Sequence, residues 1–455
     1  MTEFEQIELR HRAQIESAVL RAGLRSCDLA FANIFGWQHV YASRVAQCEG
    51  AIVLKYRIDG TPRVAYMEPL GDGDWQCLVP QLWADAACEG QPLRLLLSEQ
   101  GVELLATEEW AVDCNRDAWD YIYRREDLAQ LPGGDFKSKR NHFARFVNRY
   151  NYRFEPLSAV HIEECLRVDA EWRERRGTND AMESVALRRV LGHFEELGLL
   201  GGVLRVDERV VAFTFGSMLT ADTFCTHFEK ADTDYDGAYA AINRFMAESL
   251  PESVTYVNRE EDLGVEGLRR AKLSYRPTMM FRKYAALKLD DRTRGIRALW
   301  CRVFGDEPRW VNRFLARFYD PRLSFTRSCD GRIVAMAHIV PLVTELGRTA
   351  YLYAVAVDEL YRGRGFAREV ISEALACARQ GWGGAFDAVC VIPATDELKS
   401  LYAKFGFADE QFEMSFGTNG DDSLGAEGFV GRHSTFDLGA DSATDNRAMV
   451  LRLAE

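Results

Sequence analysis

One pattern recurs three times along this chain, and it constrains the fold more than any other feature. Two short β-rich runs flank an Asp-bearing turn, and a helical stretch follows. The first copy is Gly50–Arg57 and Arg63–Met67 around Ile58-Asp59-Gly60-Thr61-Pro62. The second is Gly202–Val206 and Val210–Phe215 around Asp207-Glu208-Arg209, and the third is Ser324–Arg327 and Ile333–Ala337 around Asp330-Gly331-Arg332. Runs of this kind around a tight turn read as hairpins. Repetition of the pattern, without repetition of residues, predicts three related lobes. The expected class is α/β (α+β), each lobe a mixed, mainly antiparallel sheet flanked by helices.

A chain of 455 residues is too long for one core. Turn-forming or charged stretches at Leu131-Pro132-Gly133-Gly134 and Leu289–Arg294 suggest divisions into 1–130, 131–288 and 289–455. Gly417–Asn446 is rich in Gly, Asp and Ser and reads as a long loop, and Ala448–Leu453 as a closing strand.

The formal net charge of −13 argues against a general nucleic-acid coat protein. No run approaches the roughly 18 apolar residues of a membrane helix, and Met1–Arg12 is polar and mixed in charge, so a cytoplasmic location is expected. The eleven Cys are scattered without a Cys-x-x-Cys pair, as in a reducing compartment. The eight His are equally dispersed, and no metal site is expected.

The third lobe carries the sharpest chemical signal. An apolar run, Tyr351–Val357, leads through Asp358–Tyr361 into Arg362-Gly363-Arg364-Gly365-Phe366-Ala367. Beyond it Ala367, Val370, Ile371, Ala374, Leu375 and Ala378 repeat at helical spacing. Strand, glycine loop, helix is an order suited to phosphate: the first amides of a helix lack partners and its dipole is positive there. Glycines let the backbone approach the oxygens, and the arginines add charge. Taken alone, such a loop is equally a tight turn with solvated arginines.

Further on, Leu398, Leu401, Tyr402 and Phe405 form one helical face before Gly406-Phe407, and Leu299–Asp306 lies in an amphipathic helix upstream. Together these residues resemble the GNAT (N-acetyltransferase) superfamily over about 290–455. Arg362, Gly365 and Ala367 match its acyl-CoA signature, and Leu401, Tyr402, Lys404, Gly406 and Phe407 its later motif. The resemblance implies that the amides of Gly363, Arg364, Gly365, Phe366 and Ala367, with Arg362, hold the pyrophosphate of acetyl-CoA as co-substrate. It implies that Val355, Ala356 and Val357 line the pantetheine arm, with an amide near Val355 polarising the thioester, and that Tyr402 protonates the departing thiolate. A buried packing role is the other reading of Tyr402. Where the family often has Asn, this chain has Thr395. His338 and Glu345 are candidates for relaying a proton, His338 more readily as a partly buried, satisfied side chain.

Residues 1–288 carry a second resemblance, in Asp120–Leu128, Lys137–His142, Asp234–Asn243 and Tyr256–Pro277. These stretches are similar to bacterial proteins related to the C-terminal domain of phosphatidylglycerol lysyltransferases, which is built of two GNAT-like lobes. Asp236-Gly237-Ala238-Tyr239 stands where the third lobe has its glycine loop, but without arginines. Asn258, Arg259 and Glu260, followed by Glu261 and Asp262, lie just after an expected strand and read either as substrate contacts or as a salt-bridged loop with Arg269 and Lys272. Phe143, Phe146, Val147 and Tyr150 form one face of a basic helix, leaving Arg145 and Arg149 outward, a surface for tRNA phosphates or a solvated helix face.

The expectation is an acyl-CoA-dependent N-acyltransferase, acetyl first, acting on a small-molecule or peptide amine. The alternatives are an aminoacyl-tRNA-dependent aminoacyltransferase centred on 1–288, with tRNA as partner, or a non-catalytic acyl-CoA sensor.

Overall fold

The structure, a computed structural model, describes residues 3–58, 61–176, 181–409 and 448–453. The expected loop at Gly417–Asn446 and the turn residues Asp59 and Gly60 lie outside the described residues.

Three sheets form, and each contains one of the repeated hairpins. In those hairpins Lys55 stands opposite Tyr66, Val203 opposite Phe213, and Phe325 opposite Ala337; the antiparallel pair that leads to the crossover is this one in the first lobe, and Phe213 opposite Lys230 and Ala335 opposite Val357 in the other two. In each lobe the strand that ends this ladder runs into a helix, which crosses the sheet face and delivers a parallel neighbour. The helices are Trp75–Cys88, Ala238–Ser249 and Phe366–Gln380. The parallel registers are Tyr66 to Leu95, Phe224 to Val257 and Ala350 to Val389. A parallel return needs such a crossover, because a two-residue turn cannot reverse the chain twice. The chain is thus a mixed α/β protein of three open sheets flanked by helices.

The first two sheets do not divide at 130. Asp120–Arg124 lies in the second sheet, between Tyr256–Asn258 and Met279–Phe281. Tyr284–Lys288 returns to the first sheet, between Arg94–Leu97 and Trp110–Asp113. In the third lobe the corresponding place, between Ala388–Val391 and Ala408–Asp409, is taken by the lobe's own Met449–Arg452. The first two lobes have therefore exchanged their last strands. Turn-forming residues at 131–134 mark a local break, but pairing is decided by strand partners.

One apolar core joins the first two lobes, with Ile15, Phe31 and Phe35 packed among Leu187, Phe213 and Phe228. The third lobe docks on the first through the Pro308–Arg317 helix, whose Phe314 and Leu315 share a core with Ala111 and Leu287. Arg313 and Arg317 both pair there with the buried Asp113, Arg313 at 3.1 Å.

Candidate functional site

In the third lobe, strand Gly347–Val357 pairs in parallel with Ala388–Val391 only at Thr349, Ala350 and Tyr351. From Leu352 onward no strand among the described residues pairs with it on that side, so the two parallel neighbours part there. On its other side the antiparallel ladder skips: Ala356 faces Met336 and Tyr353 faces His338. Ala354 and Val355 together oppose Ala337, a bulge in which Ala354 takes φ +49°. A left-handed alanine costs on the order of 1–2 kcal/mol, and such strain gathers at functional positions.

The strand ends at Asp358, whose carboxylate accepts from the Leu360 amide at 3.1 Å and starts a single 3₁₀ turn. Gly363 at φ +77° and Gly365 at φ +89° then turn the chain into the helix, conformations that glycine adopts without strain. Among the described residues, a Cβ built on either glycine would meet no atom within 4 Å, so they leave the helix mouth open. The first helical bond runs from Glu369 N–H to the Gly365 carbonyl, leaving the amides of Phe366, Ala367 and Arg368 ahead of it. Val370, Ile371, Ala374, Leu375 and Ala378 are buried, as their spacing predicts, and anchor the helix to the sheet. Arg362 and Arg364 are exposed; Arg364 lies over the Tyr361 ring at 4.8 Å.

Tyr402, on helix Asp396–Ala403, is buried against Phe407 with ring centroids 5.9 Å apart and shares the core of the loop helix. Burial pushes its phenol up to about 12, so the proton stays on oxygen at neutral pH. Thr395 caps this helix without a side-chain bond. His338 is wholly buried, its Nδ1 2.9 Å from Ser324 Oγ, and packed on Trp300 and Phe314. Burial and then Arg292 pull it down to about 3, which leaves it neutral and too weak a base to collect a proton near pH 7. Glu345 is exposed in the turn between two strands.

The second lobe repeats this geometry and closes it. Gly237 caps its crossover helix at φ +88°, matching Gly365. A Cβ there would sit 2.1 Å from the His142 carbonyl oxygen, because helix Lys137–Arg149 lies across the mouth. Phe146, Phe143, Val147 and Tyr150 hold that helix down, as their spacing predicts, and Arg145 pairs with Asp236 at 3.0 Å. In the first lobe the equivalent helix is capped by Asp74, whose carboxylate accepts from the Gln76 amide at 2.9 Å.

Asn258, Arg259 and Glu260 follow strand Tyr256–Asn258 but do not converge on one spot. Asn258 is buried and donates to Asp120 at 2.9 Å and to the Arg25 carbonyl at 2.7 Å. Arg259 turns the other way, to Glu229 at 2.8 Å, over the Tyr275 ring. Glu260, in the left-handed region at φ +58°, accepts from Asn33 at 2.8 Å and faces His227 at 3.2 Å. Asp262 pairs with Arg269, and Lys272 donates to the carbonyls of Arg259 and Glu261. Of the expected pairs with Arg269 and Lys272, Asp262–Arg269 forms, whereas Lys272 bonds backbone instead.

Behind it lies a group that spacing does not reveal. The Lys283 ammonium gathers Asp28 at 2.6 Å, Asp120 at 2.7 Å and Glu261 at 3.4 Å, with Cys27 Sγ at 3.3 Å. Burial is the main cause that raises Asp120, to about 7. These residues come from four separate segments, and strand exchange brings Asp120 and Lys283 together. A Lys beside an aromatic run, in Phe281-Arg282-Lys283-Tyr284, is the single local hint.

Against known proteins, the family described as phosphatidylglycerol lysyltransferase, C-terminal, matches residues 21–287. The acetyltransferase (GNAT) family matches 291–407. A conserved protein of unknown function from Bacteroides thetaiotaomicron is 40% identical, covering 64% of this chain and 100% of that one, with a TM-score of 0.61. L-PGS from Bacillus licheniformis is 15% identical over 62% of this chain and 93% of its own, with a TM-score of 0.48. The GNAT-family N-acetyltransferase YhbS from Escherichia coli, solved in complex with CoA, is 22% identical over 37% and 79%, at a TM-score of 0.25. No curated protein matches the chain.

Proposed function

We propose a function from one premise: the chain belongs to the family of phosphatidylglycerol lysyltransferase C-terminal domains, and a GNAT acetyltransferase domain follows that part. The last domain transfers an acyl group, acetyl in the first instance, to an amine. The observation that carries this reading is the open glycine mouth of helix Phe366–Gln380, beside a strand whose partner has parted from it.

Acetyl-CoA supplies the acyl thioester. The amides from Gly363 to Ala367 bind its diphosphate, and the arginines at 362 and 364 neutralise charge from the rim. Val355, Ala356 and Val357 offer a strand edge to the pantetheine arm. The bulge at Ala354 and Val355 turns an amide toward the carbonyl, where it stabilises the negative oxygen formed as the amine attacks. With the C–N bond made in that attack, the oxyanion collapses and the C–S bond breaks; Tyr402 gives its phenolic proton to the sulfur, and the proton that the attacking nitrogen releases to solvent balances the one by which solvent restores the phenol. No metal takes part. Among the described residues no helix is long and apolar enough to cross a membrane, and we place the enzyme in the cytoplasm.

The test is calorimetric titration of the full chain with acetyl-CoA, followed by thiol release against a panel of amines. Binding that is lost in Gly365→Glu, with turnover on at least one amine, is the expected result. Binding without turnover would make the chain an acyl-CoA sensor, and no binding would remove the reading.

A second reading has the family match over 21–287 in its favour: aminoacyl transfer from charged tRNA, with Arg145 and Arg149 exposed on the basic helix. Co-purified tRNA, weakened in Arg145→Glu and Arg149→Glu, would support it.

A further inference from the structure

Glu260 and Glu261 each belong to a separate set of donor atoms: Cys225, His227 and Glu260 in one, Cys27, Asp120 and Glu261 in the other. Within each set the sulfur, nitrogen and carboxylate atoms lie within 4.8 Å of one another. The two differ in charge. The set with Glu261 carries its own cation, because the Lys283 ammonium lies 2.7 Å from Asp120, 3.3 Å from Cys27 Sγ and 3.4 Å from Glu261. The set with Glu260 does not. Among the described residues no lysine or arginine lies within 4 Å of the Glu260 carboxylate, which meets the His227 ring alone as a group able to carry positive charge. Buried charges are normally paired or held on a metal.

The backbone brings these three together from a strand and its parallel neighbour. Cys225 and His227 lie on strand Thr223–Ala231, and Glu260 follows strand Tyr256–Asn258, whose Asn258 stands opposite Cys225. On the other side the ladder passes from Gly216 opposite Thr226 to Phe215 opposite Phe228 and skips His227. Such a bulge re-aims a side chain. Gly216 lets the strands approach here, since a Cβ on it would collide with the Cys225 carbonyl oxygen. The His227 Nε2 is fixed by Ser217 Oγ at 2.8 Å, which leaves Nδ1 toward Glu260. Metal-ligating histidines are held in this way through the far nitrogen. The distances fit one ion as well. With bonds of about 2.3 Å to sulfur and about 2.0 Å to nitrogen and oxygen, a tetrahedral zinc has sulfur–oxygen and nitrogen–oxygen edges of about 3.5 and 3.3 Å. Here Cys225 Sγ lies 3.9 Å and His227 Nδ1 3.2 Å from Glu260 Oε1. Glu260 keeps 24% of its side chain exposed, which gives an ion a way in and a water a fourth position.

We propose that Cys225, His227 and Glu260 bind a divalent ion of the zinc type, with water as its fourth ligand. Burial, and then the Glu260 charge, keep the Cys225 thiol protonated in the metal-free protein. Its proton passes to solvent as the sulfur takes the metal. Asn33, on helix Phe31–Gly36 of the first lobe, donates to the same Glu260 oxygen at 2.8 Å, so the ion pins the seam between the first two lobes. No spacing in the sequence announces the site, because Glu260 lies 33 residues from His227. The proposal is independent of the acyl-transfer reading, in which the ion takes no part.

The experiment strips the full chain with a chelator and titrates it with zinc against a chromophoric competitor, and with cobalt(II) as a spectroscopic probe. Zinc should bind with a Kd at or below about 10 µM. Cobalt should show the intense visible bands of a tetrahedral site together with thiolate-to-metal charge transfer. Cys225→Ser should abolish the charge transfer, and Cys225→Ser and Glu260→Gln should each weaken zinc by at least about 30-fold. Cys27→Ser, in the set that Lys283 fills, should leave zinc affinity within about twofold, as should loss of the exposed thiols in Cys77→Ser with Cys88→Ser. Circular dichroism of the metal-free variants identifies any that fails to fold, and the folded one of Cys225→Ser and Glu260→Gln then decides. Zinc binding weaker than that limit, or binding that survives in a folded Cys225→Ser or Glu260→Gln protein, would overturn the site.

Discussion

Gly237 and Gly365 make the most instructive pair in the molecule. Each starts a crossover helix with nearly the same positive φ, after a strand in the same sheet position. One mouth opens on solvent; the other is plugged by the His142 carbonyl and a helix that brings its own arginines. Backbone conformation alone thus does not make an anion site. What differs is whether another part of the chain already lies across the helix mouth. The second lobe keeps the geometry and uses it for internal packing.

The largest effect should come from exchanging the two glycines' tests. Gly365→Glu places a carboxylate and a strained φ at the open mouth, and acetyl-CoA affinity should fall by more than about 100-fold in calorimetry. Gly237→Ala has to push back the His142 carbonyl, so it should lower thermal stability by about 2–4 kcal/mol and leave acetyl-CoA affinity unchanged. Loss of acetyl-CoA binding in Gly237→Ala would break the comparison.

Next in size is Tyr402→Phe, which keeps the ring in its core position and removes the proton. It should reduce kcat by about 100-fold without changing acetyl-CoA affinity. A fall in stability with kcat intact would return Tyr402 to a packing role.

Acid should weaken the third lobe through His338. Its folded value near 3 lies below the ordinary 6.5, so the unfolded chain takes up the proton first. The stability present above pH 6.5 is lost as pH falls toward 3, by about 2 kcal/mol between pH 7 and 5. His338→Leu should flatten that slope in melts of the full chain, and an unchanged slope would place the acid sensitivity elsewhere. The smallest effect is expected at the rim: Arg362→Ala should cost about tenfold in acetyl-CoA affinity, less at high salt.

The sequence made the third lobe far more legible than the first two. Its proposed acyl-CoA contacts sit on contiguous residues from Tyr351 to Ala367, where strand, loop and helix are all read from local spacing. The three hairpins were equally local, and the structure forms all of them. The basic helix face was legible too, because Phe143, Phe146, Val147 and Tyr150 repeat at helical intervals. What spacing could not show was what that helix covers. Nor could it show the strand exchange, since a strand's partner is fixed by contacts far away in sequence. Cys27, Asp120, Glu261 and Lys283 converge only because of that exchange, and no motif carries them.

The exchanged strands also set the order of events on a ribosome. The first sheet lacks its Tyr284–Lys288 strand until the whole second lobe has emerged, although Asp120–Arg124 is ready early. Trp110–Asp113 meanwhile waits beside an empty lane, an unpaired edge exposed for the time it takes to add the intervening chain. The two lobes mature as one late-closing unit, and a protein cut between them would leave each half holding the other's strand.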